Sequence, residues 1–273
     1  MSKPRARWSA WSAILVACLL ALPAPRWAFA QQAPASAGPA DPALIEDLVA
    51  ANRILADQGV LDGWGHVSVR HNRDPNRFLL SRARAPELVN ADDIIEFDLD
   101  SNPVDAKGRS LYTERFIHGE IYKARPDVIA IVHTHAPALI PFGIAKVALQ
   151  PVYHRSAFVS GGIPVFEIRE GAGMTDMLIR NDAQGAALAA TIGNGAVVLM
   201  RGHGYCAVGA DIAEAVFRAY YTQLNAELQQ RAIGLGGKVT FLADEEGALY
   251  DETNRKVIGR PWGLWKAKFA PKP

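Results

Sequence analysis

The run Val128-Ile129-Ala130-Ile131-Val132 leads without a break into His133-Thr134-His135. Five consecutive apolar residues, mostly β-branched, read as a strand buried on both faces. Side chains alternate along a strand, so His133 and His135 must point to the same side of whatever sheet contains them. A third imidazole, His203, stands in the glycine-bounded turn Arg201-Gly202-His203-Gly204. Two imidazoles on one sheet face and a third from a turn make a three-histidine metal site with open coordination positions, suited to Lewis-acid chemistry rather than to a closed structural zinc.

The surrounding pattern alternates helices with short strands, as in an α/β domain. Residues 41–59 have helical periodicity, with Leu44, Leu48, Ile54 and Leu55 apolar and Gly59 as the stop. His66–Arg70 and Arg77–Ser81 alternate as strands joined across Asn72-Arg73-Asp74-Pro75, a hairpin signal, and residues 94–99 make a third strand. Thr113 is placed to cap a helix over 114–124 whose buried stripe is Phe116, Ile117, Ile121 and Tyr122. Residues 165–168 and 196–200 read as further core strands, 174–188 and 211–228 as helices. Beyond about Gly236 the periodicity weakens into a tail carrying Trp262 and Trp265. One domain over 41–245 is expected, followed by a tail over 246–273.

The first forty residues have another character. Lys3, Arg5 and Arg7 precede an apolar run, and Ala28-Phe29-Ala30 offers a small-x-small cleavage site. Residues 1–30 therefore read as a secretory signal cut after Ala30, with residues 31–40 as a flexible tether, and the protein is expected to be exported, in a periplasm. A retained anchor is the competing reading. A lipid attachment at Cys18 fits less well, because the apolar run continues past it. Without residues 1–30 the chain holds 25 basic against 28 acidic residues, a net charge of −3, and no basic patch suggests nucleic acid. Once the signal is removed no stable membrane insertion is expected, and Cys206 is left as the one cysteine, unable to form an internal disulfide.

Glu114, at the start of the helix before the histidine strand, has two readings. It is a carboxylate favoured by the helix macrodipole, or a metal ligand and acid–base group if packing brings it to the histidines. His118 lies one helical turn further on, as a proton-path residue or a packed histidine. Cys206 reads as a small buried hydrophobe and His71 as a hairpin surface residue.

Taken in order, Glu114-Arg115-Phe116-Ile117-His118, Ile121-Tyr122, Arg125-Pro126-Asp127, Val132-His133-Thr134-His135 and Gly202-His203-Gly204 resemble the class II aldolase/adducin family over about residues 42–235. The resemblance implies a three-layer αβα sandwich around a largely antiparallel sheet, homotetramers, and one divalent ion per subunit on His133, His135 and His203. Zinc or manganese is favoured, cobalt or iron next. It also places Glu114 at the acid–base position, with contact to the metal. Departures from the family's sugar-phosphate aldolases fall where those grip phosphate. Gly65-His66-Val67-Ser68 replaces a glycine–asparagine loop, Ser81-Arg82-Ala83-Arg84-Ala85 replaces small hydroxyl residues and glycine, and Tyr112-Thr113 replaces small serines.

These departures resemble the branch that decarboxylates hydroxylated aromatic or heteroaromatic acids. Arg82 or Arg84 would orient a small-molecule carboxylate bidentately, unless both are solvated loop residues. Ser81, Tyr112 and His154 are further substrate candidates, and His66 a binding or proton-transfer group. The expected chemistry is a carbon–carbon lyase working through a metal-stabilised enolate. Aldol cleavage of a hydroxy-ketone is the nearest alternative, and a non-catalytic adducin-like binding module the next.

Overall fold

The computed structural model describes Met1 and residues 33–269. The expected signal, its cut after Ala30, and Cys18 lie outside the described residues.

Asp41 caps α1 (Pro42–Asp57), accepting from the Ala43 amide at 3.0 Å, with proline at the first helical position. The chain continues through β1 (His66–Arg70), β2 (Arg77–Ser81), β3 (Ile94–Asp98), α2 (Arg115–Ala124), β4 (Ala130–Thr134) and the short α3 (Ile140–Ile144). β5 (Val165–Phe166), α4 (Ile168–Ala172), α5 (Asp182–Ile192), β6 (Val197–Met200), β7 (Gly204–Gly209) and α6 (Ile212–Gly234) complete the body, and α7 (Asp244–Arg255) and α8 (Gly259–Ala267) follow. The strands form one seven-stranded sheet in the order β3-β2-β1-β4-β7-β6-β5, antiparallel except where β5 pairs with β6.

Strand alternation divides the core. Val67, Val69, Ala130, Val132, Tyr205 and Ala207 face α1 and α6, packing on Leu48, Leu55, Val216 and Ala219. Phe78, Leu80, Ile95, Ile131, Cys206 and Val208 face α2 and α5, packing on Ile117, Ile121, Leu188 and Ile192. The result is the expected αβα sandwich. β4 lies at the centre and is buried at every position, as its unbroken apolar run requires.

Five local expectations change. Residues 174–181 are loop rather than helix; Asn181 caps α5 by accepting from the Gln184 amide at 3.0 Å, which delays the helix start. Thr113 caps nothing: Glu114 occupies the N-cap position of α2, with no side-chain cap bond. Instead of a flexible tether, residues 35–38 run along the hairpin and β3, where Ser36 Oγ donates to Glu96 at 2.6 Å and the Ala37 amide donates to Glu96 at 2.7 Å. That segment covers His71, which is 4% exposed and lies 3.2 Å from the Gly38 carbonyl, not on the surface. Finally, the weak pattern after Gly236 hides two helices. Trp265 of α8 is buried against Tyr220, ring centroids 5.2 Å apart, and Lys266 pairs with Asp47 of α1. Among the described residues no helix is long and apolar enough to cross a membrane.

Candidate metal centre

The register of the sheet assembles the site. β7 pairs with β4 so that His133 lies opposite Cys206 and Thr134 opposite Tyr205. The β6–β7 turn, with Gly202 at φ 64°, therefore delivers His203 beside His135 at the end of β4. α2 packs on the sheet face that carries Ile131 and Cys206, the side to which His133 also points, and its N-cap residue, Glu114, lies beside His133. His133, His135, His203 and Glu114 each offer a ligand atom, all within 4.8 Å of one another. His135 Nε2 and His203 Nε2 are 3.1 Å apart, and Glu114 Oε2 lies 3.4 Å from both His133 Nε2 and His203 Nε2. Such separations suit ligands about 2.0–2.1 Å from one ion.

The donor set fits a divalent metal on a second ground. His133 Nε2 is buried without a hydrogen-bond partner, a costly arrangement unless a cation takes its lone pair. The outer nitrogen of each ring is meanwhile occupied. His203 Nδ1 donates to the Met177 carbonyl at 3.1 Å, His135 Nδ1 lies 3.3 Å from both Asp62 carboxylate oxygens, and His133 Nδ1 is 3.5 Å from Cys206 Sγ. These contacts turn all three Nε2 atoms inward. Met177 holds a left-handed φ of 68°, a strained conformation for a side-chain-bearing residue, and its carbonyl is the one that fixes His203.

Burial opposes ionisation of Glu114, but the neighbouring His133 and His203 outweigh it and hold the carboxyl well below the usual carboxylate range. His203 is shifted upward: burial works against its charge and Glu114 overcomes it. His135 is shifted down by burial and by the other two imidazoles. Glu114 Oε1 accepts the Ile179 amide at 3.0 Å, so the loop before α5 holds the carboxylate in place.

The sequence pattern assigns Asp62 no role. Its Oδ1 accepts from the Trp64 amide at 2.8 Å and the Gly65 amide at 3.1 Å while facing His135. An Asp-Gly turn just before a strand is the one local signal that could have singled it out. Replacing Asp62 with Ala should weaken metal binding about 10- to 100-fold, as loss of a carboxylate behind a ligating histidine does. Competition against a chelating dye measures this, and unchanged affinity would remove Asp62 from the metal's support.

Beside the cluster opens a cavity of about 490 Å³. Its wall includes Trp64, His66, Arg84, Leu111, Tyr112, Glu114, His135 and Leu178. Of the expected substrate residues, Arg84 and Tyr112 are thus on the wall. Arg82 is not: its Nε pairs with Asp93 at 2.6 Å, and Arg84 Nη1 pairs with the other oxygen of that carboxylate at 2.8 Å. The two guanidinium groups are therefore not a free pair, because a buried aspartate holds both. Ser81 is 1% exposed, beneath the wall rather than on it. His154 lies elsewhere, edge-on to Tyr153 and Tyr250 with ring centroids 4.7 and 4.6 Å away, so its expected pocket role is not met within this chain. A second cleft, of about 400 Å³, is lined by Arg125, Arg218 and Arg255, whose charges are paired with Asp127, Glu214 and Asp251.

His118 is wholly buried behind His66, and burial, then the nearby His133, pushes it down to about 3. An unfolded chain binds this proton near 6.5, the folded one only near 3, so the unfolded state holds more protons between those values. Folding stability should therefore fall as pH drops through that window, by about 1.4 kcal/mol per pH unit for one such group. The urea midpoint of metal-stripped protein should decline more steeply from pH 6.5 to 5 in the wild type than in His118→Asn. Parallel slopes would show that His118 does not cause the decline.

Residues 46–230 match the family described as Class II Aldolase and Adducin N-terminal domain. The chain is 35% identical over 244 residues to Decarboxylase tropJ of Talaromyces stipitatus, covering 81% of this chain and 92% of that protein. It is 31% identical over 219 residues to a 3,4-dihydroxyphthalate decarboxylase of Arthrobacter keyseri, covering 74% of this chain and 84% of that protein. Among solved structures, an aldolase II superfamily protein from Pseudomonas syringae superposes with a TM-score of 0.71 at 22% identity, covering 85% of this chain and 93% of that one.

Proposed function

The chain belongs to the class II aldolase and adducin family, and on that premise we propose that it is a metal-dependent lyase that decarboxylates a non-phosphorylated, hydroxylated aromatic or heteroaromatic acid. The observation that carries this is the make-up of the cavity beside the histidine cluster. Trp64, Leu111, Tyr112 and Leu178 supply apolar and ring surface, and among the described residues the one guanidinium on the wall, that of Arg84, is already shared with Asp93. Flat apolar walls with few convergent polar groups suit a ring; a phosphate requires a cluster of free donors. Two relatives above 30% identity being decarboxylases supports the same choice.

His133, His135 and His203 would hold the ion, with zinc or manganese proposed ahead of cobalt or iron(II). A divalent ion there supplies Lewis-acid stabilisation of the negative charge that builds on a ring oxygen as carbon dioxide leaves. Glu114 is the residue that moves the proton. Its Oε2 faces the cluster on the cavity wall, while Oε1 is tied to the Ile179 amide. The ionised carboxylate takes the proton of the substrate hydroxyl at Oε2 and returns it to the ring carbon that has kept the electron pair of the broken bond. The remaining N–H groups of Arg84 orient the carboxylate that departs, and Trp64 and Tyr112 flank the ring.

Purified protein loaded with zinc or manganese should release carbon dioxide from at least one member of a panel of ortho-hydroxy aromatic acids, 3,4-dihydroxyphthalate included. If every acid is inert while a hydroxy-ketone is cleaved, the protein is an aldolase. If no stoichiometric metal is retained, it is a binding module. We further propose export, with cleavage after Ala30, on the strength of the basic, apolar and small-residue pattern of the first thirty residues. A homotetramer is proposed from the family alone, and light scattering tests it.

A further inference from the structure

Behind the cavity wall, His66 begins a line of buried polar side chains that the chemistry above does not use. His66 Nδ1 is 2.7 Å from His118 Nε2, and His118 Nδ1 is 2.6 Å from Ser68 Oγ. Ser68 Oγ is 2.8 Å from Tyr122 Oη, which lies 3.3 Å from the Ile129 carbonyl. None of the four side chains belongs to a residue more than 1% exposed. With Nδ1 engaged, Nε2 is the nitrogen His66 has left for the cavity.

Counting protons shows what this line can do. Each hydroxyl carries one proton and each neutral imidazole carries one. If Tyr122 donates to the Ile129 carbonyl, then Ser68 donates to Tyr122, His118 to Ser68 and His66 to His118. His66 Nε2 then meets the cavity as a bare lone pair. If Tyr122 donates to Ser68 instead, its bond to the Ile129 carbonyl is given up, the other three bonds reverse, and His66 Nε2 carries a hydrogen. Both arrangements are neutral, and the line is satisfied in both. The Ile129 carbonyl already accepts the Arg70 amide at 2.7 Å, so Tyr122 has no exclusive partner there. The line also ends at that carbonyl. A carbonyl cannot take up a proton at neutral pH, so none can enter or leave through the far end.

We propose that His66 is a neutral, reversible hydrogen-bond partner of the substrate rather than its proton donor, and that His118, Ser68 and Tyr122 are positioning residues that set which way it points. With Nε2 bare, His66 accepts from the substrate hydroxyl until Glu114 takes that proton; with Nε2 protonated, it donates to a carboxylate oxygen. One side chain thus serves both groups of an ortho-hydroxy acid without gaining charge, which leaves the transferred proton to Glu114. What His66 grips rests on the decarboxylase reading; the reversible line itself does not.

The test uses the full-length, zinc-loaded protein with ¹⁵N-labelled histidine. Tyr122→Phe keeps the ring but leaves Ser68 with His118 as its only partner, which should lock His66 into the tautomer with hydrogen on Nε2. The wild type should populate both tautomers, with the balance moved by salicylate. Equal populations in wild type and Tyr122→Phe, with or without salicylate, would overturn the reversible line. Ser68→Ala cuts the line at another point and should also move the populations, a check should Tyr122→Phe fold poorly. On an acid that turns over, His66→Gln retains a neutral donor and acceptor. It should raise KM about fivefold, the cost of one poorly made hydrogen bond, with a far smaller fall in kcat. A fall in kcat of about 10²- to 10⁴-fold would make His66 the proton donor and sink the proposal while leaving the decarboxylase reading intact. If no acid turns over yet Tyr122→Phe locks the tautomer, the decarboxylase reading fails and the line stands.

Discussion

Changing Glu114 to Gln should leave the metal in place and lower kcat about 10²- to 10⁴-fold, the range lost with a positioned proton-transfer group. The substitution isolates chemistry from architecture. Glutamine is isosteric, and its amide oxygen can still accept the Ile179 amide that Glu114 Oε1 accepts at 3.0 Å. The three imidazoles remain, each with its outer nitrogen anchored, so metal content per subunit should be unchanged within error. What disappears is a group able to take a proton at Oε2 and give it up again. Metal analysis and steady-state kinetics on the same preparation decide the matter. Full turnover would remove Glu114 from its assigned role, and loss of metal with loss of turnover would make it chiefly a ligand.

Gly204→Ala should cost stability and metal together. A Cβ at this position would overlap the Thr134 carbonyl oxygen, lie 2.9 Å from the Thr134 carbonyl carbon and stand 3.0 Å from His135 Cα. All are backbone atoms, so no side-chain rotation relieves the overlap. β7 would have to move away from β4 at the point where Thr134 pairs with Tyr205. The expected penalty is about 3 kcal/mol or more, the upper range for overpacking a close-packed interior. The same displacement separates His203, one residue before the glycine, from His135. Metal stoichiometry should therefore fall in whatever fraction still folds. A fully metallated variant with an unchanged thermal midpoint would show that the seam is more compliant than its contacts imply.

Parts of this centre were legible in the chain because they are local. The apolar run 128–132 could only be a buried strand, and alternation then put His133 and His135 on one side. His66–Arg70 and Arg77–Ser81 emerge as strands with the expected bounds, because alternation and a polar turn are short-range properties. Local reading failed where a distant partner decided the outcome. Residues 174–181 have an acceptable helical composition, yet they form a loop whose Ile179 amide and Met177 carbonyl bond Glu114 and His203. Arg82 and Arg84 looked like anion binders because nothing nearby in sequence neutralises them; Asp93, about ten residues on, does so. α8 was missed because Trp265 acquires its meaning only against Tyr220.

The sequence by itself determined which residue types meet the metal, since strand periodicity and a glycine-flanked turn constrain where three imidazoles can point. Only the tertiary structure decided what stands behind them. Asp62 meets His135 across 73 positions, Cys206 meets His133 across 73, and Ser68 meets His118 across 50. Contacts over such separations are set by sheet register and helix docking, which depend on the summed burial of the whole core rather than on any local pattern.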